Sequence, residues 1–169
     1  SFEVVSGEAR YRVREQLVQI GIAEAVGTTQ AVKGQVALQG GKASGEFAVD
    51  LRELKSDQER RDNYLRRNTL QTDRFPTATF RPKEVRGLPS PLPQRGGFPV
   101  QVVGDLTLRD VTQEVAWEGE AEFLGDEVKV RLKTEFPFER FQLTQPRVPI
   151  LLSVENRIRL EVDLTLRRR

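Results

Sequence analysis

Apolar and polar residues alternate with a period of two along most of this chain, a pattern typical of β-strands with one buried face. The alternation predicts eight strands, at residues 9–14, 31–39, 46–51, 77–85, 100–109, 114–123, 128–136 and 158–166. Tight turns between neighbouring strands are predicted at Gly40-Gly41, Arg109-Asp110 and Gly125-Asp126. The pattern therefore predicts an all-β fold built as an antiparallel meander.

One segment breaks the alternation and carries the signals of a short helix. Ser56 and Glu59 have the spacing of a capping box, in which the serine hydroxyl accepts from the N–H of Glu59 and the glutamate accepts from the N–H of Ser56. Asp57 and Arg61 are four residues apart with the acid first, which supports a helix. We therefore predict a helix at about 57–68 that lies over the sheet as a lid or plug.

Phe75 directly precedes Pro76, and a proline disfavours helical backbone for the residue before it. The helix must therefore end earlier, and the ring of Phe75 leaves it in a fixed direction. Two interpretations stay open: the ring closes one end of a barrel, or it is an ordinary core side chain. Both predict that Phe75 is buried.

Residues 87–99 contain four prolines and three glycines, which predicts an extended loop inserted between two strands. A Pro-x-x-Pro-like ligand role is the weaker interpretation, because no basic or repeated residues flank the segment in the manner of a recognition motif.

The apolar phase of the predicted strands contains no charged residue, so it predicts an oily interior. A sheet with one apolar face must pack on a second layer or close on itself, and one weak helix cannot cover it. Eight strands close into a barrel whose interior can hold one small ligand. Glycines in the inward phase either leave room there or serve strand bends; they are Gly34, Gly45, Gly104 and Gly119.

Composition narrows the function further. The 169 residues suit a single domain, residues 1–169, and they include no His and no Cys. Imidazole bases, thiol nucleophiles and the usual zinc ligands are therefore missing. We predict no enzyme, no catalytic residue, no metal site and no cofactor.

Charge and hydropathy bear on partners. The 27 basic and 25 acidic residues are interspersed and give a net charge of +2, which argues against nucleic-acid binding. The Arg167-Arg168-Arg169 run is interpreted as a solvated end. No apolar stretch reaches the ~20 residues of a membrane-spanning helix, so we predict that the chain does not span a membrane.

Three stretches resemble the YceI-like family of polyisoprenoid-binding, lipocalin-like proteins. They are Ser56-Asp57 with Arg61-Asp62-Asn63-Tyr64-Leu65, then Phe75-Pro76-Thr77-Ala78-Thr79-Phe80, then Gly104-Asp105-Leu106-Thr107-Leu108-Arg109-Asp110-Val111-Thr112. The family often has a histidine where this chain has Tyr64, so any role of an imidazole there is absent.

The resemblance implies an extended eight-stranded antiparallel lipocalin-like barrel, closed at one end, with a pocket for an isoprenoid chain such as a quinone tail or a polyprenyl lipid. A bound isoprenoid or fatty lipid is therefore expected in place of a cofactor. The resemblance also implies a periplasmic or other extracytoplasmic location after removal of a leader, with the cytoplasm as the alternative, and a homodimer.

Candidate ligand-binding residues are the large apolar side chains of the inward phase and the ring at the helix end. They are Phe47, Val49, Phe75, Phe80, Val102, Leu106, Trp117, Val130, Leu132, Leu160 and Val162. For each of them, a purely structural core position remains the alternative.

Three functional hypotheses follow. The first is a non-catalytic carrier, store or sequestering protein for an isoprenoid. The second is a structural or protein-interaction module whose barrel is filled by its own side chains. The third is a carboxylate-dependent enzyme, which requires a strand bulge that turns an acid such as Asp105 or Glu118 inward.

Overall fold

The structure, a computed structural model, describes residues 1–146 and 151–169. Within these residues the chain forms ten strands and one short helix. The strands are β1 (Phe2–Leu17), β2 (Gly21–Thr29), β3 (Val32–Gln39), β4 (Lys42–Asp50), β5 (Thr77–Arg86), β6 (Arg95–Leu108), β7 (Val111–Leu124), β8 (Glu127–Phe136), β9 (Leu151–Val154) and β10 (Ile158–Arg168). The helix α1 (Glu59–Tyr64) continues into a π-helical turn at Leu65–Thr69. No helix in the described part of the chain has the length and apolarity needed to cross a membrane.

The strands close into an antiparallel barrel with eight strand positions. The order is β1-β3-β4-β5-β6-β7-β8-β10, and β10 pairs again with β1, for example through Tyr11 and Leu160. β2 and β3 share one position, because β2 pairs with the second half of β1 and β3 with its first residues. β9 similarly continues the position of β10 along β1. The predicted eight-stranded, antiparallel, all-β barrel is confirmed.

The alternation missed two strands, β2 and β9, for different reasons. In β2 the more buried positions are occupied by small residues, among them Ala23, Ala25 and Gly27, so the contrast between the two faces is weak in the sequence. β9 has only four residues, too few for a periodic signal.

The two ends of the barrel differ in their connections. The helix end holds α1 and the Arg109-Asp110 turn, and the 3₁₀ turn Phe138–Phe141 lies beside it. The side chain of Arg109 donates to the backbone oxygen of Phe141 over 3.3 Å, which ties these turns together. The hairpin end holds the Gly40-Gly41 and Gly125-Asp126 turns.

The helix lies close to its predicted place, but its cap differs from the prediction. No side chain caps the first turn, and Ser56 Oγ accepts from the N–H of Gln58 (3.2 Å) instead of Glu59. The carboxylate that accepts from the N–H of Ser56 is that of Asp62, at 3.0 Å. The predicted capping box is therefore wrong. Asp62 lies one turn further along the helix, where its carboxylate faces the barrel.

The inward-phase glycines allow neighbouring strands to approach each other. A Cβ added to Gly104 would collide with the backbone oxygen of Arg81, and one added to Gly119 would collide with that of Arg131. The same holds for Gly34 and Gly45 against the backbone of the paired strand. The close approach of paired strands, and not a need for free volume in the interior, therefore explains why glycine occupies these four positions.

Two predictions at the hairpin end need correction. The proline-rich loop is shorter than 87–99, because β6 already begins at Arg95. The C-terminal arginines are not all solvated: Arg167 and Arg169 are exposed, but Arg168 lies over the rings of Phe2 and Phe123 at 5.4 Å and 5.9 Å.

Candidate functional site

The barrel interior contains an apolar cavity of about 210 Å³. A single water needs roughly 10–15 Å³ by the same kind of measure, so the space is more than ten times larger than a one-water void. Its wall is almost entirely apolar. The interior is therefore not filled by the protein's own side chains, contrary to what a purely structural barrel predicts.

Ten of the eleven predicted ligand-binding residues line this cavity. They are Phe47, Val49, Phe80, Val102, Leu106, Trp117, Val130, Leu132, Leu160 and Val162. Their alternation along each strand brings them to the inner face because successive side chains of a strand point to opposite faces.

Phe75 does not line the cavity. Its half-buried ring lies beyond the helix, with the guanidinium carbon of Arg74 5.0 Å from the ring centre. The expectation that Phe75 closes an end of the cavity is therefore corrected. The helical segment already ends at Thr69, and a turn at residues 72–74 separates it from Phe75.

The middle of the cavity is formed by cross-strand neighbours. Phe80 of β5 lies opposite Phe47 of β4 and Leu106 of β6, and Val102 of β6 lies opposite Trp117 of β7. The rings of Phe80 and Trp117 meet edge to face, with centroids 5.9 Å apart. This geometry is favourable for aromatic pairs and holds two large side chains in place around open space.

Aromatic rings line the hairpin end of the cavity. Phe123 is 2% exposed, and its ring meets those of Phe2 and Phe98 edge to face at centroid distances of 6.5 Å and 6.0 Å. Leu88, from the proline-rich loop, also lines the cavity. The side chain of Arg168 donates to the backbone oxygen of Pro93 at 2.9 Å, so it joins the rings to this loop.

A buried polar group of residues lies at the other end, and we call it the helix-end cluster: Tyr11, Glu15, Ser56, Arg61 and Asp62. Glu15 and Arg61 are only 4% and 3% exposed, and Nη2 of Arg61 donates to Oε1 of Glu15. Ser56 Oγ accepts from Nη1 of Arg61 at 3.0 Å and donates to Oδ1 of Asp62 at 2.6 Å. The guanidinium thus binds Glu15 directly and is linked to Asp62 through the hydroxyl of Ser56.

Tyr11 connects the cluster to the cavity. Its ring lies against Gly27 of the paired strand, where a Cβ would collide with the ring, and it lines the cavity wall. Burial is the main cause that raises the pKa of Tyr11 to about 12. The phenol is therefore neutral at physiological pH, and its hydroxyl can act as a donor.

Sequence reasoning missed the buried charges of this cluster. Glu15 continues the inward phase of Tyr11 and Val13 along β1, so the alternation itself contained the signal. The predicted first strand ends at residue 14, one residue short of Glu15 and three residues before the end of β1. The inward phase of the strands therefore carries no charge along the cavity, whereas at the helix end it carries Glu15.

Arg10, Arg12 and Glu161 form an ion-pair group on the barrel wall. Nε of Arg10 and Nε of Arg12 donate to Oε1 of Glu161 at 2.6 Å and 2.8 Å. Partial burial works to raise the pKa of Glu161, but these hydrogen bonds outweigh it and lower the pKa below the ordinary value. Arg10 and Glu161 border the cavity, where they are the charged residues of its lining.

Asp105 and Glu118, the two acids named for the enzyme hypothesis, are not in the cavity wall. Asp105 lies 3.3 Å from Nζ of Lys83 in an ion pair, and Glu118 is exposed. Among the described residues, no three His, Cys, Asp or Glu side chains are grouped so that they could hold a metal ion. The chemistry that the cavity offers is apolar contact.

Comparisons with known proteins agree with this geometry. A family model described as the YceI-like domain matches residues 6–166. No curated protein matches the sequence.

Several solved structures share the fold. A polyisoprenoid binding domain from Saccharophagus degradans, implicated in plant cell wall breakdown, aligns with a TM-score of 0.78 at 11% identity, covering 99% of this chain and 98% of that one. BcnA from Burkholderia cenocepacia aligns at 0.70 and 13% identity, covering 94% and 95%. A YceI protein from Campylobacter jejuni aligns at 0.64 and 14% identity, covering 85% and 84%. At these identities the likeness shows the fold alone.

Proposed function

Because this chain belongs to the YceI-like domain family, we propose that it is a non-catalytic binding protein that holds a long apolar isoprenoid, such as a quinone tail or a polyprenyl lipid, inside its barrel. It would act as a carrier, a store or a sequestering protein for that lipid. The apolar cavity of about 210 Å³ is the observation that carries the proposal. The polyisoprenoid binding domain of Saccharophagus degradans, which has the same fold, adds support.

The energetics favour a chain without polar groups. Burial of one CH₂-sized group contributes about 0.8 kcal/mol, so a five-carbon isoprene unit contributes up to about 4 kcal/mol before ordering costs. A few units therefore suffice for tight binding. A wall of Val, Leu, Phe and Trp side chains offers little hydrogen bonding, so affinity should follow the length and branching of the chain.

The first test asks what the purified protein contains. Organic extraction followed by mass spectrometry should recover a prenyl-chain lipid in a stoichiometric amount. Trp117 is the only tryptophan and lines the cavity, so its fluorescence should change when an added isoprenoid enters. Absence of any extractable lipid, together with an unchanged Trp117 signal, would contradict the proposal.

A pair of neighbouring substitutions locates the binding. Val102→Trp places a large ring in the cavity, whereas Val103→Trp places the same ring on the opposite face of β6. We expect the first variant to lose isoprenoid binding and the second to keep it. Equal binding by both variants would mean that the lipid lies outside the cavity.

A further inference from the structure

We propose that the helix-end cluster is a polar subsite that receives an uncharged oxygen at the head of the lipid, while the tail extends along the cavity toward the hairpin end. This inference rests on the proposed function, because it assigns the orientation and the head-group chemistry of the same ligand. Its physical basis is a pair of buried donors that lack acceptors.

The first donor is the hydroxyl of Tyr11. Its oxygen is buried and makes no hydrogen bond of good geometry with any described residue, although Ser56 lies close enough to lower the pKa of the phenol slightly against the larger effect of burial. The nearest hydroxyl of the cluster, Ser56 Oγ, is fully used: it donates to Asp62 and accepts from Arg61 and from the N–H of Gln58. A hydroxyl has one proton and two lone pairs, so Ser56 has none left for Tyr11.

The second donor is Nε of Arg61. Both terminal nitrogens of this guanidinium are bound, to Glu15 on one side and to Ser56 and Asp57 on the other. Nε is buried and has no partner in the described part of the chain. Leaving a buried donor unpaired carries a desolvation cost, which an incoming acceptor oxygen would remove.

The location suits a ligand head. Tyr11 lines the cavity at the same end as Leu51 and Leu54, the residues that lead from β4 toward α1. A lipid that fills the cavity therefore brings one terminus against Tyr11, which is the member of the helix-end cluster that lines the cavity.

The charge of the cluster selects an uncharged head. The guanidinium of Arg61 pairs with the buried carboxylate of Glu15 and the exposed one of Asp57, and Ser56 Oγ links it to a third carboxylate, that of Asp62. A carboxylate or phosphate brought here would add negative charge where acids already outnumber the base, in a medium where charges interact strongly. A carbonyl or hydroxyl oxygen accepts the same hydrogen bonds without that repulsion.

Trp117 is the other donor of the cavity wall that lacks a partner, through its Nε1. It lies mid-barrel against Phe80, and no second free donor accompanies it among the lining residues. The paired donors at the helix end therefore form the better acceptor site.

The test uses four probes that share one prenyl tail: farnesene, farnesol, farnesal and farnesoate. Their affinities are measured by titration calorimetry on the delipidated full chain and on three variants, of which Trp117→Phe tests the donor in the middle of the barrel. Tyr11→Phe removes only the hydroxyl and keeps the ring against Gly27. Tyr64→Phe makes the same change on the helix, outside the cavity lining, and serves as the matched control.

For the wild-type chain we expect farnesal and farnesol to bind more tightly than farnesene, and farnesoate more weakly than either. Tyr11→Phe should weaken farnesal and farnesol about three- to tenfold, the value of one hydrogen bond, and leave farnesene unchanged. Tyr64→Phe should change none of the four. Equal affinities of Tyr11→Phe and wild type for the oxygenated probes would overturn the inference, as would tightest binding of farnesoate.

Two further results separate this inference from the proposed function. If no probe binds, the proposed function itself fails. If all four bind alike in every variant, the cavity binds tails and only the polar subsite is wrong. Loss of the preference for oxygen in Trp117→Phe, with Tyr11→Phe unaffected, would move the subsite to mid-barrel and overturn the assignment made here.

Discussion

Arg61 and Arg168 lie at opposite ends of the same barrel in chemically opposite surroundings. Arg61 is 3% exposed and binds the buried carboxylate of Glu15. Arg168 has no acidic partner among the described residues and lies over the rings of Phe2 and Phe123. The helix end is therefore held by charge and hydrogen bonds, whereas the hairpin end is held by aromatic contacts.

Because of this difference, the two ends should tolerate the loss of their arginine to different degrees. A buried ion pair is costly to desolvate, and removal of one partner leaves an uncompensated charge. Removal of the cation that lies over aromatic rings leaves apolar surface and one backbone oxygen, that of Pro93, but no buried charge. The same substitution at the two ends should therefore have unequal effects on the free energy of unfolding.

Arg61→Met should have the largest effect. It leaves Glu15 and Asp62 buried without their cation, so we expect a loss of about 3–5 kcal/mol in the free energy of unfolding, measured by urea denaturation. Arg60→Met, at the exposed neighbouring position, is the control and should change stability by less than about 0.5 kcal/mol. A loss below about 1 kcal/mol at Arg61 would mean that the cluster is not a stabilising network.

Arg168→Met should have a smaller effect, about 1–2 kcal/mol, from the lost cation–π contacts and the hydrogen bond to Pro93. Arg167→Met, next to it and exposed, is the matched control. The comparison fails if Arg168→Met destabilises the protein as much as Arg61→Met in the same urea experiment.

Glu161→Gln tests an intermediate case on the barrel wall, with an expected loss below about 1 kcal/mol. The folded-state pKa of Glu161 lies below its unfolded value, so its contribution is present above about pH 4.5 and is lost as the pH falls through the folded-state pKa. The stability gap between wild type and variant, followed by denaturation at several pH values, should therefore narrow on acidification. If the difference in stability widens at low pH, the pKa of Glu161 is raised on folding and not lowered, which contradicts the prediction.

Asp57→Asn should have the smallest effect. Asp57 pairs with the same guanidinium as Glu15, at 3.1 Å, but its side chain is 86% exposed. An exposed pair of this spacing contributes about 0.3–0.5 kcal/mol. At high salt the free energies of unfolding of the variant and the wild type should become equal. A loss comparable to that of Arg61→Met would show that exposure does not decide the strength of these ion pairs.

Most of the barrel and its cavity wall could be predicted from the sequence because they depend on local alternation. Val102 and Leu106 were assigned to the interior from their phase on one strand, and both line the cavity. Phe75 was assigned from a backbone rule at Pro76, which fixes how the chain leaves a helix but not which surface its ring reaches.

The helix-end cluster could not be predicted in the same way. Its central pair joins residues 46 positions apart in the chain, Glu15 and Arg61, and both look like ordinary surface residues in the sequence. The apparent capping box at Ser56 also pointed to the wrong acid, because Glu59 has the correct spacing whereas Asp62 has the correct position in space.

The sequence by itself determined which side chains face inward and where the strands turn, because the period-two geometry of a strand is a local property of the backbone. Only the tertiary structure decided that the interior stays open and that Glu15, Arg61 and Asp62 are buried together at one end. Packing and charge pairing depend on which distant residues meet when the barrel closes, and no local pattern contains that information.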